Sequence, residues 1–106
     1  MLYMNLPHSK FCILPWVSLE ASPVGTVRPC CLADDEIVDN TGNKFNLAIA
    51  NFADIQNSNH MHSLRQQFLD GDQPTTCRKC WNEESAGRAS KRMHTLDRLK
   101  HMNWIA

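Results

Sequence analysis

The sequence predicts a small α+β domain gathered around one metal centre, with an N-terminal β-hairpin, a polar loop, one or two short helices and a long C-terminal helix. Three observations predict it. Four of the five cysteines fall into two separated pairs, Cys12 with Cys30 and Cys77 with Cys80. Strand formers flank a turn sequence between the first two cysteines, and Met61, Leu64 and Phe68 recur at i, i+3 and i+7, the stripe of a helix that buries one face. With 106 residues, 42% of them hydrophobic and 21% charged, the chain has the length and balance of one globular domain. It is also short enough to gain from a metal staple beside a thin core.

The first element spans residues 15–31. Trp16, Val17 and Leu19 supply strand formers, Ser22-Pro23-Val24-Gly25 is turn material, and Thr26-Val27-Arg28 resumes an extended run. Antiparallel pairing returns the chain beside its start, so Cys12 before the first strand and Cys30 after the second can face one site. Pro29 withholds an N–H and suits a strand end. Residues 34–46, with Asp34-Asp35-Glu36 and Asn40-Thr41-Gly42-Asn43, read as an acidic polar loop that lacks the spaced oxygen ligands of a calcium loop.

A short helix is expected at about 52–57 and a better one at about 60–70, with Ser58 or Asn59 as its cap and Gly71 at its end. His60 and His62, at i and i+2, share no helical face and make a poor metal pair. Either Thr75 or Thr76 can cap a last helix that starts near Cys77 and runs through Trp81, Ala86, Ala89, Met93 and Leu96 to about Lys100, with Gly87 weakening its middle. Cys77 and Cys80 then stand at i and i+3 on the first turn, where unpaired N–H groups favour thiolates. Trp81 beside them is either a water shield for the site or a core residue.

Two thiol pairs brought together by the connection 31–76 form a cage that could hold zinc or an iron–sulfur cluster, since both take tetrahedral thiolates. Met1–Lys10 has no apolar run of signal length and no segment matches a membrane span, so the expected compartment is a reducing cytoplasm, where clustered cysteines serve as ligands more often than as disulfides. Charge is uneven. Residues 1–76 carry four Lys/Arg against eight Asp/Glu, a net −4, and residues 77–106 carry seven against three, a net +4. Arg78, Lys79, Arg88, Lys91, Arg92, Arg98 and Lys100 read as a solvated helix face, a weak footprint for nucleic acid.

Phe11-Cys12, the Cys12/Gly25/Cys30 spacing ending in Val27-Arg28-Pro29-Cys30-Cys31, Ala53-Asp54-Ile55-Gln56-Asn57-Ser58, Leu64-Arg65 and Cys77-Arg78-Lys79-Cys80-Trp81 together resemble the SPASM and twitch domains that accompany radical S-adenosylmethionine enzymes. The resemblance covers about residues 10–85. A full SPASM domain has seven cysteines for two auxiliary clusters. Five fit the shortened, single-cluster twitch form. The resemblance implies one auxiliary [4Fe–4S] cluster on Cys12, Cys30, Cys77 and Cys80, with zinc as the alternative occupant. Cys31 faces away from Cys30 on an extended chain, yet could substitute for it.

The same resemblance makes residues 1–86 a cluster module and 87–106 a continuation of the C-terminal helix, a linker toward a catalytic domain that is absent. The Cys-x3-Cys-x2-Cys of radical S-adenosylmethionine catalysis does not occur, so the chain is not catalytic alone. Because it stops at the apolar Met102-Asn103-Trp104-Ile105-Ala106, it is expected to be either a fragment or a stand-alone module serving a catalytic partner in cis or trans. The cluster would serve electron transfer or hold a peptide or small-molecule substrate. Two other classes compete: a structural zinc module that meets a protein or nucleic acid through Arg88, Lys91 and Arg92, and a thiol oxidoreductase using Cys77 and Cys80.

Overall fold

A computed structural model describes residues 6–102; the apolar end 103–106 lies outside the described residues. The elements run α1 (Leu14–Val17), β1 (Glu20–Ala21), β2 (Val27–Arg28), α2 (Phe52–Gln56), α3 (Asn59–Asp70), a 3-10 turn (Thr75–Cys77), α4 (Arg78–Ser85) and α5 (Lys91–His101). This is the α+β arrangement read from the sequence, with differences at each end and in the acidic segment between.

At the N-terminal end the hairpin is shorter than expected. Glu20 pairs with Arg28 and Ala21 with Val27, antiparallel, around the Ser22–Gly25 turn. Trp16 and Val17, expected in the first strand, instead belong to the single helical turn α1. The cause is Pro15 in the first turn of α1, where its fixed φ suits a helix start and its missing N–H costs nothing. Gly25 closes the hairpin at φ 95, and the Asn46 side chain fills the space where a Cβ would stand, so only glycine fits.

The acidic segment is more ordered than a solvated loop. Ile37 is fully buried, its N–H donates to Val27 O (2.7 Å), and Phe45 N–H donates to Ile37 O (3.0 Å). Asp39 organises the tip by accepting from the N–H groups of Thr41 and Asn43. The segment therefore adds a layer to the hairpin, and its charged side chains remain outside.

Helix α3 matches its expected start and end. Ser58 accepts from Met61 N–H at the first turn, and Gly71 ends the helix in the left-handed region. Its stripe joins two cores. Met61 packs with Val27, Ile37 and Ile55 under the hairpin, whereas Leu64 and Phe68 pack with Phe11 and Cys12. Each such side chain contributes about 1.5–3 kcal/mol by leaving water.

At the C-terminal end, the helix expected from Cys77 to about Lys100 is two helices. Gly87 adopts φ 78, which ends α4, and Ser90 restarts the chain by accepting from Met93 N–H. Only the second of these is long, and it folds back toward the N-terminal segment.

Candidate metal centre

Three pieces of chain deliver the four thiols. Cys12 lies just before α1. Arg65 of α3 fixes that turn by donating to Pro15 O (3.0 Å) while its other nitrogens reach Gln56, which ties α1, α2 and α3 together. Cys30 follows β2 directly after Pro29. The third piece, Cys77 and Cys80, is registered against Cys30 by one residue: Asp34 N–H donates to Thr76 O (2.8 Å) and Asp35 N–H to Thr76 Oγ1 (2.9 Å). Neither threonine caps the helix as expected, because the Thr76 hydroxyl is engaged in this crossing and α4 has no side-chain cap. Outside the crossing, Arg78 pairs with Asp34 (3.0 Å) and holds that carboxyl below its usual range.

Cys12, Cys30, Cys77 and Cys80 line one small apolar cavity of about 20 Å³. All four are free thiols, and Cys31 is exposed and absent from the lining. Phe68 and Trp81 form one wall, their rings 6.2 Å apart, and Trp81 Nε1 donates to Pro74 O (2.8 Å). Trp81 therefore fills both roles considered for it, packing against the core while covering the thiols.

Electrostatically the cage resists thiolates. Burial pushes the Cys12 thiol up to about 12; the Leu14 backbone and Arg92 oppose the rise, and Cys30 and Cys80 add to it. Burial, followed by Cys12, Cys30, Cys80 and Asp34, pushes Cys77 to about 12 as well. Burial also raises Cys30, against the backbone at Leu32 and Ala33. The helix start was expected to favour a Cys77 thiolate. Burial and the neighbouring sulfurs outweigh it at Cys77. Four thiols crowded in a dry cavity ionise together only around added positive charge. The donor set thus fits a thiolate-bound metal group: among the described residues no carboxylate or imidazole shares the cavity wall.

Arg92 is the residue that sequence reasoning missed. Expected on a solvated face, it is only 6% exposed, lines the cavity and stacks over Trp81 at 5.5 Å. Its guanidinium donates to both Glu84 oxygens and to Ser9 O and Phe11 O. The available signal was Gly87 followed by Ser90, a helix stop and restart that sets Glu84 and Arg92 on facing helices. Arg88 does remain toward solvent, paired with Glu83, and Lys91 is half-buried. His60, half-buried, accepts from Val38 N–H (3.2 Å) and stands apart from the cage, as does the exposed His62.

The match to a protein family spans residues 12–81, from the first cage cysteine to the tryptophan after the last, and the family is SPASM, an iron–sulfur cluster-binding domain. The chain belongs to the SPASM family. Iron–sulfur binding in general follows from that membership. No curated protein and no solved structure matches the chain. Among the described residues no helix is long and apolar enough to cross a membrane.

Proposed function

We propose that this SPASM chain binds one auxiliary [4Fe–4S] cluster through Cys12, Cys30, Cys77 and Cys80 and serves a radical S-adenosylmethionine enzyme, in cis or in trans, by electron transfer or substrate positioning. The observation that carries the reading is the convergence of these four thiols, and not Cys31, on one apolar cavity. A bound cluster would supply one-electron chemistry. The chain's own residues supply the rest: Phe68 and Trp81 exclude water, Thr76 sets the spacing of the two cysteine pairs, and Arg92 holds the segment before Cys12. With every site on the cluster taken by sulfur, electron transfer is favoured over direct substrate ligation. Residues 1–86 carry every proposed ligand, and α5 beyond them closes on Ser9 and Phe11 through Arg92. A cytoplasmic setting follows from the need to keep free thiols reduced.

A single structural zinc is the second reading, because the same four thiols lining one apolar cavity also suit a tetrahedral ion. Against it, among the described residues no three Cys, His, Asp or Glu side chains gather closely enough to hold one ion. Separate irons require no such common point.

Anaerobic purification and reconstitution, followed by iron, sulfide and zinc analysis, separates the two. About four iron and four sulfide per chain is expected. Serine at Cys12, Cys30, Cys77 or Cys80 should lose iron, and Cys31→Ser should retain it. One zinc without iron would overturn the cluster reading, and iron loss on Cys31→Ser but not Cys30→Ser would overturn the ligand assignment.

A further inference from the structure

Arg92 occupies a position that a purely structural ion pair does not require. Its guanidinium is fixed from two sides, by Glu84 (Nε to Oε2, 2.9 Å) and by the carbonyls of Ser9 (2.9 Å) and Phe11 (3.0 Å), which places the charge beside Cys12, while the residue's apolar surface lines the cavity. Glu84 is tied down in turn by Ser90 Oγ (2.6 Å) and by Lys10 at 3.8 Å, and it does not reach the cavity. Burial of Glu84 works to raise its carboxyl, but the hydrogen bonds from Arg92 and Ser90 outweigh it and keep the group ionised. The pair is therefore oriented, with its positive end nearer Cys12 through Phe11 and its negative end behind. A buried pair of this kind is screened little by salt, so the cage feels the guanidinium less the opposing carboxylate that lies further off.

We infer that Arg92 is a positioning residue that sets the electron affinity of the bound cluster, its fixed guanidinium favouring the reduced, more negative state. The inference rests on the cluster reading above. The step is the uptake of one electron from an external reductant, with no bond made or broken. Four thiolates would give the loaded cage a negative charge, reduction would add one more, and a fixed cation beside the cage would stabilise the product more than the reactant.

The test is a mediated redox titration of the reconstituted full-length chain, following the visible spectrum, with the native protein beside Arg92→Met, Arg92→Lys and Glu84→Gln. At a fixed potential near the native midpoint, Arg92→Met should lower the reduced-to-oxidised ratio by about tenfold, equivalent to a downward shift of about 59 mV for one electron. Arg92→Lys, which keeps the charge and loses the planar fork, should stay within about twofold of native. Glu84→Gln, which removes the opposing charge, should move the ratio the other way. Opposite signs for Arg92→Met and Glu84→Gln cannot come from a general loosening of the fold. If Arg92→Met retains no cluster, the other two variants still decide. A native-like ratio in Glu84→Gln, or shifts of the same sign in both, would overturn the inference and leave Arg92 a latch. A native chain that takes up no iron would instead sink the cluster reading, and the inference with it.

Discussion

Truncating Phe68 to alanine should cost the fold about 4 kcal/mol and open the cage to water. The side chain is 1% exposed and packs on Phe11, Cys12 and Leu64. Its return to water accounts for roughly 1.5–3 kcal/mol. The ring pair with Trp81, at 6.2 Å, adds about 0.5–1.5 kcal/mol. Together these make about 2–4.5 kcal/mol, and the cavity left behind brings the cost to about 4, in line with the roughly 3–5 kcal/mol typical of a buried Phe→Ala change and a large share of the about 5–15 kcal/mol that holds a domain together. In a thermal melt of the reconstituted chain followed by circular dichroism, that loss corresponds to a fall of roughly 15–30 °C. Leu69→Ala is the control, one residue along α3 and 45% exposed, and should change stability by no more than about 0.5 kcal/mol. Equal effects of the two substitutions, or a loss below about 1 kcal/mol for Phe68→Ala, would refute the placement of Phe68 between core and cage.

The remaining expectations concern the thiols and the crossing that sets them. With folded-state values near 12 against 9.0 in the unfolded chain, Cys12 and Cys77 support the metal-free fold fully below pH 9 and lose that contribution as pH rises toward 12. For Cys12 alone the three-unit difference is of the order of 4 kcal/mol, so denaturant midpoints of the metal-free chain should fall across that window, and a flat profile would contradict the buried thiol. The loaded chain should fail in the opposite direction, shedding its metal in acid as protons compete for the thiolates, a loss that visible absorbance would follow. Thr76→Val keeps the shape and removes the acceptor for Asp35 N–H, so it should cost about 1 kcal/mol and slow reconstitution; an unchanged melt would show the hydroxyl to be idle.

Much of this was legible because it rests on local rules. The stripe Met61, Leu64 and Phe68, the Ser58 cap, the Ser22–Gly25 turn and the cysteine spacing each need only a few neighbouring residues to be read. The remainder depends mostly on distant partners. Pro15 is the local exception, since its place at a helix start decides the conformation of Trp16 and Val17 against their strand preference. The burial of Ile37 within an acidic run depends on Val27, across the hairpin. Arg92 lies among exposed cations in sequence, and only the reversal at Gly87 delivers it to Glu84 and Phe11. Charge counting treats such a residue as one more solvated cation, because burial of a guanidinium is decided by partners that composition does not display.

The hydrogen bond from Arg92 to Phe11 O spans 81 positions and leads to the residue before the first cage thiol. Sequence kinship ends at residue 81, yet the grip on Cys12 is completed beyond it, from α5. A chain cut after Ser85 would keep every cage cysteine and most of the apolar wall while losing the clasp on its N-terminal strap. The portion of the molecule that is recognisable by ancestry and the portion that is mechanically self-sufficient are therefore different lengths, and excising this SPASM unit for transplant would require the longer one.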